Sequence, residues 1–590
     1  MRGPTAAGER PLWSRPGPAT AALLILIGFH LTCTGVWLVM DQLPLIYDAA
    51  EHYMFGLTSH LELRNVLTTD QPLNWEALLP GRWHGALVGL VTAGMMFLVG
   101  LEEDAAVLAA CGLFLPILLL AVYGLGLRLV SRPAGLLAAA LVSVSPGVTI
   151  HQRLFLLDLP LAAMVALSLY LLLASEGLRR RGSTILFLLA AGLGLSVKVN
   201  FALFVAGPLA VVLASRARGF WRARSRRAAG RRWLALALPA AALLLAAGCW
   251  ALLQGTELGH HLGRVIGDRL AALTRVPAGE LLVHWGYQLL NIPLHFIHQS
   301  LSFLLLLALL LGARFVFPLW SVRNAYLVLP LLCAGLFFFF FSPPDQAARY
   351  LLPSLGPLAV LAAGGLLALG RPRRPAVGAV LALGLLQFVA ISFPLDIIPE
   401  LVIEDPAGGR RVFDVVFFAR GRRMALMNIK DSSRPTPTPW RVERVMQRAA
   451  RPLAGSRRTV VVALVEHPRL LYPLLRWEIL NWERSNSTLY LLDVYMSQRH
   501  QRMALAHWPP LPRLPLEADY LLLEHGPRSR FDADKVPYSL GQARRLRGLF
   551  RRHRGAFQRA GVFSFPGGVR VELRRRRAPR PAGDRPGGAA

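Results

Sequence analysis

Cysteine is scarce in this chain: four in 590 residues, Cys33, Cys111, Cys249 and Cys333, each alone inside an apolar run. That excludes a disulfide framework or a cysteine metal site and leaves small core residues. Acidic residues are few as well, 34 Asp+Glu against 65 Lys+Arg, for a formal net charge of +31. In a soluble chain that excess would point to nucleic acid, but no zinc-finger, RNA-recognition or basic-zipper pattern accompanies it, so nucleic acid is not a partner here. An internal repeat is lacking, and so are Gly- or Pro-broken span pairs in matching halves, which argues against a secondary transporter or lipid flippase, the main alternative reading. No Gly-rich phosphate loop follows a strand, which argues against a nucleotide-sugar donor.

What the chain has in abundance is apolar sequence. Hydrophobic residues make up 54% of it, with a mean hydropathy of +0.44. Runs long enough to cross a bilayer recur through roughly residues 21–395, the mark of a polytopic α-helical membrane protein. The first run, about 21–40, follows Arg2, Arg10 and Arg15, is too long for a signal-peptide core and has no small-residue cleavage site; it is expected to be a retained span. The arginine clusters Arg179–Arg181, Arg216–Arg232 and Arg371–Arg374 fall between apolar runs and read as cytoplasmic loops.

Alternating from a cytoplasmic N-terminus (1–20), span one delivers an outer segment, 41–104, whose apolar piece from His84 to Leu101 has no basic flank and is expected to lie against the bundle. Spans follow at about 105–127, 134–150, 159–174, 184–197, 200–214 and 233–253, and four more fill 300–395, about eleven in all. Residues 396–575 then change character. The short apolar strands "TVVVALV", "LYLLDV" and "ADYLLLEH", an amphipathic helical pattern over about 468–484 and a hairpin turning at Pro566–Gly568 predict a soluble α/β domain on the outer face, ahead of a basic, disordered tail, 576–590.

This threading collects the unusual polar residues on one membrane face. Asp48, Glu51 and His52 follow span one; His151, Arg153 and Asp158 sit between spans three and four; Lys198 and Asn200 between five and six; Asp345, Arg349 and Tyr350 between nine and ten. An ionisable group at hydrocarbon depth costs on the order of 3 to 15 kcal/mol, so each invites a functional explanation. Bland ones stand beside it: Asp158, ahead of Leu159 and Pro160, has the order of a helix N-cap; Lys198 suits a snorkelling residue; Arg349 with Tyr350 suits an interface anchor. The histidines His260, His261, His284, His295 and His298, with Asp268 and Glu280, match no metal-ligand spacing, so contact with substrate or headgroups is preferred over a divalent metal, and no cofactor is assigned.

Four segments, "YDAAEHY", "QRLFLLDLPL", "GLGLSVKVN" and "ARYLLPSLGP", in this order and on one face, resemble the motif series of C-type glycosyltransferases that use polyprenyl-phosphate sugars. The nearest patterns are those of the protein O-mannosyltransferases, whose arginine and aspartate before the fourth span are similar to Arg153 and Asp158, and of the lipid A aminoarabinose transferases. One departure is that Ala49 and Ala50 separate Asp48 from Glu51, where those families carry an acid directly after the first aspartate. The resemblance, over roughly residues 20–395, implies an integral membrane enzyme that moves a sugar from a polyprenyl monophosphate to an acceptor hydroxyl or phosphate on a lipid, glycan or protein. Its active site is expected on the non-cytoplasmic face of a membrane, bacterial inner membrane by composition.

The residue chemistry suits such a transfer. A carboxylate such as Asp48 takes the acceptor's proton as the oxygen attacks an oxocarbenium-like centre. The leaving phosphate needs cations more than a general acid, and Arg153, Lys198 and Arg349, with Tyr350, are the donor-phosphate candidates. Glu51, His52 and Asp158 are candidates for either a catalytic or a structural role.

Overall fold

The computed structural model describes residues 17–221 and 322–393 with short gaps, and separate stretches between 400 and 577. The expected seventh span at 233–253, the histidine-bearing loop, the helical pattern at 468–484 and the turn at 566–568 lie outside the described residues. The chain divides into two compact units, Met1–Val39 with Glu62–Pro435, and Met40–Leu61 with Thr436–Ala590.

The first unit is mainly helical, with one small sheet near its end. Its apolar segments fold as helices, the form that satisfies most of the backbone internally, as a bilayer requires. They form α1 (Pro18–Met40), most of α3 to α12, and the end of α2 (Tyr47–Thr68), whose first residues belong to the other unit. In order, α3 is Ala86–Val99, α4 Asp104–Leu129, α5 Arg132–Ser143, α6 Pro146–Arg153, α7 Asp158–Ala174, α8 Arg181–Leu195 and α9 Phe201–Trp221. After the undescribed stretch come α10 (Val322–Phe341), a 3₁₀ helix (Ala347–Ser354), α11 (Leu355–Leu367) and α12 (Arg373–Ser392). Among the described residues Pro18–Met40, Asp104–Leu129 and Phe201–Arg218 are long and apolar enough to cross a membrane, and several shorter helices are apolar in overall composition. α4 packs on α5 and α7, α7 on α8, α9 on α10, and α11 on α5.

The expected third span at 134–150 is broken in the structure. The helix stops at Ser143 and restarts at Pro146, with a bend of 56° between the two pieces. Pro146 supplies the reason: it cannot donate an N–H, and it pushes the preceding Ser145 out of the helical region. The stretch that looked like an outer loop is therefore helical as far as Arg153. A second proline shapes α4. Pro116 withdraws an N–H inside the span, and the preceding turn, Ala110–Phe114, is wound as a π-helix.

Small residues set how closely these helices approach. A Cβ built on Gly126 would lie 2.5 Å from the Gly135 Cα, so α4 and α5 meet backbone to backbone. The loop after α7 turns through left-handed residues Glu176, Gly177 and Leu178, pinned by Ser175, whose Oγ accepts from the Leu178 N–H at 2.8 Å.

Strands β1 (Glu400–Glu404), β2 (Arg410–Asp414) and β3 (Phe418–Arg420) make an antiparallel sheet. The second unit holds a helix, α13 (Glu443–Ala449), and a five-stranded sheet of β4 (Thr459–Leu464), β5 (Ser487–Leu491), β6 (Tyr520–His525), β7 (Phe557–Ser564) and β8 (Arg570–Arg576), in the order β5-β4-β6-β8-β7. The pairs β4–β5 and β4–β6 are parallel, and β8 runs antiparallel to both of its neighbours. On β8, burial pushes the Glu572 carboxyl up, but Arg574 at 3.1 Å and His525 at 3.1 Å outweigh it and hold the group below the ordinary carboxylate value.

The close approach at Gly126 has a measurable consequence. Gly126→Ala should lower the thermal midpoint of the purified protein by several degrees, as expected for about 1–3 kcal/mol of overpacking. Gly94→Ala, where a Cβ meets nothing within 4 Å, should leave it unchanged or raise it.

Candidate functional site

Two buried charge centres occupy the region where α6 ends and α7 begins. At the first, α6 carries His151, Gln152 and Arg153 in its last turn, all buried. Arg153 is 1% exposed and is among the largest fully buried side chains. Its Nη2 donates to the Ser392 hydroxyl at 2.7 Å, and its guanidinium carbon lies 5.4 Å from the Trp37 ring centre and 5.8 Å from that of Phe388. Each such cation–ring contact is worth about 0.5–2 kcal/mol, toward the upper end when water is excluded. Next to it, Gln152 donates through Nε2 to the Cys111 sulfur at 2.8 Å and to the Thr34 hydroxyl, and Cys111 donates to Thr34 at 3.3 Å. Cys111 lies in the π-helical turn of α4, so that irregular turn brings a polar contact to Gln152.

The second centre is the pair of Lys198 and Asp158. Lys198 Nζ lies 3.3 Å from the Asp158 carboxylate, with side-chain exposures of 13% and 2%. The lysine comes from the tight turn between α8 and α9, whose Ser196 carbonyl accepts from Leu87 N at 3.1 Å and so ties it to the start of α3. Asp158 is the first residue of α7, and the residue before it is Leu157. The N-cap reading of Asp158 is thus replaced: its carboxylate sits in the first turn, where a helix favours negative charge, and it faces a cation from 40 residues away.

The link between the centres carries strain. Phe155 has φ of 47° and its ring is 1% exposed. A bulky residue in the left-handed region costs about 1–2 kcal/mol and persists where its surroundings over-determine it.

Arg349 and Tyr350 stand on the 3₁₀ helix, which packs against both α6 and α7, though their side chains lie outside the described residues. Asp48, Glu51 and His52 share helix α2 in the other unit; His52 is buried, Glu51 half-buried, and the Asp48 side chain lies outside the described residues. The structure therefore pairs Asp158 with Lys198 and sets Arg153 among neighbours that the motif analysis passed over: Trp37, Phe388, Ser392 and the Thr34–Gln152–Cys111 group. A signal for Lys198 was present in composition, since the chain's 65 basic residues include just three lysines, at 198, 430 and 535. In so arginine-rich a chain, a lysine marks a place where a compact point charge serves and a guanidinium does not.

Comparison with known proteins bears out the resemblance read from the motifs. Residues 105–258, which include Arg153, Asp158 and Lys198, match the family described as dolichyl-phosphate-mannose-protein mannosyltransferase. In fold the chain is similar to ArnT from Cupriavidus metallidurans. Its apo structure aligns with a TM-score of 0.51 at 13% identity, and the structure bound to undecaprenyl phosphate with a TM-score of 0.50 at 14% identity, each alignment covering 94% of this chain and 98% of that one. No match is found among curated protein sequences. The protein is thus similar to membrane glycosyltransferases of the C type that work with lipid-linked phosphates.

Removing one partner of the Lys198–Asp158 pair strands the other's charge. Asp158→Asn, Asp158→Ser and Lys198→Met should each destabilise the protein by about 3 kcal/mol, with most of that recovered in the double variant Asp158→Asn/Lys198→Met. Thermal unfolding in detergent reads this directly. An Asp158→Ser protein as stable as wild type would reinstate the cap.

Proposed function

We propose that this protein transfers a sugar from a polyprenyl monophosphate carrier to an acceptor hydroxyl or phosphate, at the non-cytoplasmic face of a bacterial inner membrane. The observation that carries the reading is that the buried Lys198–Asp158 pair and the buried Arg153 all fall inside the segment that matches the mannosyltransferase family. A lipid bundle needs a reason to keep such charges, and an anionic donor headgroup is one. ArnT, whose fold this chain shares, has been crystallised with undecaprenyl phosphate, and a carrier of the same chemical class suits this chain.

In the proposed reaction the acceptor oxygen attacks the anomeric carbon as the bond from that carbon to the phosphate oxygen breaks. Asp48 takes the acceptor's proton. The electron pair leaves on the carrier phosphate, and the charge developing there is met by Arg153, Lys198 and Arg349, with Tyr350 donating a hydrogen bond. Asp158 holds the Lys198 ammonium in place. Glu51 and His52, on the helix that bears Asp48, shape the acceptor side. The spans number about eleven, and residues 396–575 form an outer-face α/β domain that limits which acceptors approach.

The basic loops support this orientation. With Thr58→Cys, Ser225→Cys and Arg530→Cys introduced singly, an impermeant thiol reagent added from outside should label positions 58 and 530 and spare 225. Labelling of 225 would invert the topology. Catalysis is tested by Asp48→Asn, which keeps size and polarity but cannot accept the proton. Turnover should fall about 100-fold or more while donor affinity holds. Near-normal turnover by the purified variant would remove Asp48 from the role of base.

A further inference from the structure

The guanidinium of Arg153 is held by residues from helices that the motif series does not include. Trp37 belongs to α1, and Phe388 and Ser392 lie four residues apart, on one face of α12. The two rings fix where the guanidinium carbon sits. The Ser392 hydroxyl, 2.7 Å from Nη2, fixes the rotation of the planar group about that carbon. Position and rotation together determine the direction of every remaining N–H donor, and direction is what distinguishes a fork that engages a phosphate from a charge that merely lies nearby.

A fourth residue supports the rings. His30, two turns before Trp37 and on the same buried face of α1, is 0% exposed. Its ring meets Phe388 edge-on, with centroids 4.8 Å apart and planes at 79°, and meets Phe29 at 5.2 Å and 82°. Among the described residues neither of its ring nitrogens makes a hydrogen bond. A buried imidazole with no partner is ordinarily a liability. Here its contribution is the ring, which packs the edge of Phe388 and keeps that side chain over Arg153.

We propose that Trp37, Phe388 and Ser392 are positioning residues for Arg153, with His30 holding the Phe388 ring, so that α1 and α12 together aim the guanidinium at the phosphate of the lipid donor. The inference rests on the reading of Arg153 as a donor-phosphate residue. It assigns to the first described span and to the C-terminal end of α12 a role in donor affinity that is separate from carrying the fold.

The test is a coupling measurement on the full-length protein in nanodiscs of zwitterionic lipid, titrated with undecaprenyl monophosphate and, as the uncharged control, undecaprenol. Ser392→Ala and Trp37→Leu should each weaken binding of the phosphate about tenfold, the scale of a lost hydrogen bond or ring contact to a charged group. Each should have less than a twofold effect when introduced into Arg153→Ala. Ser392→Thr should restore affinity, and His30→Phe, which keeps the ring and removes the unpartnered nitrogens, should bind as wild type with a raised thermal midpoint. Losses of equal size with and without the Arg153 side chain would overturn the positioning role while leaving the donor reading intact. A stable His30→Phe protein that fails to bind would overturn the assignment of His30 to ring packing. If Trp37→Leu does not fold, Ser392→Ala, which removes one oxygen, decides alone. Wild-type protein that binds undecaprenyl monophosphate no better than undecaprenol would instead bring down the donor reading itself.

Discussion

Taking a guanidinium out of water inside an apolar helical bundle costs several kcal/mol unless the surroundings answer it, and Arg153 is 1% exposed. The structure answers with two aromatic faces, Trp37 and Phe388, and the hydroxyl of Ser392. Those groups come from α1 and α12, so the first and last described helices of the helical unit are drawn to the same charge. The residue before it, Gln152, brings a second buried polar group to the same turn of α6. Gln152 bonds to Thr34 of α1 and to Cys111, and Cys111 reaches it from a π-helical turn next to Pro116.

Asp158 and Lys198 follow a related logic with the opposite economy. A carboxylate 2% exposed is tolerated because an ammonium lies 3.3 Å away and because the carboxylate stands in the first turn of α7. The pair ties the start of α7 to the turn between α8 and α9, and that turn ties to α3 through the Ser196 carbonyl. Between the two centres, Phe155 holds a left-handed backbone that a bulky residue adopts only under compulsion. Backbone strain between two buried charges is the arrangement expected where side-chain direction is set for chemistry rather than for stability alone.

Much of this is legible in the sequence. The apolar runs predicted α1, α4, α7, α8 and α9 closely, because a span must satisfy its own backbone and therefore announces itself by length. The strands at 459, 489 and 520 were visible as short β-branched or leucine-rich runs. Arg153, Asp158 and Lys198 stood out because charge is rare at such depths. The break at Ser145–Pro146 was missed, since hydropathy does not register a change of direction, and so the arginine was expected in a loop. The partners of Arg153 were missed for a different reason. Trp37, Phe388 and Ser392 are ordinary residues in membrane helices, and their role comes from a packing between positions 37, 153 and 392 that no local pattern encodes. His30 and Thr34, polar, four residues apart and both on the buried face of a mostly apolar helix, are the local hint that this face of α1 meets something other than lipid.

The central claim is that these buried charges serve the breaking of a sugar–phosphate bond on a lipid carrier. The most direct measurement reconstitutes the purified protein in liposomes with cell-envelope lipid extract and follows the carrier by mass spectrometry. The account predicts the time-dependent appearance of polyprenyl monophosphate freed of its sugar, matched by a mass gain on an acceptor and abolished together with it in Lys198→Ala. Movement of intact glycosylated carrier across the bilayer, with no free monophosphate formed, would contradict it and identify a transporter.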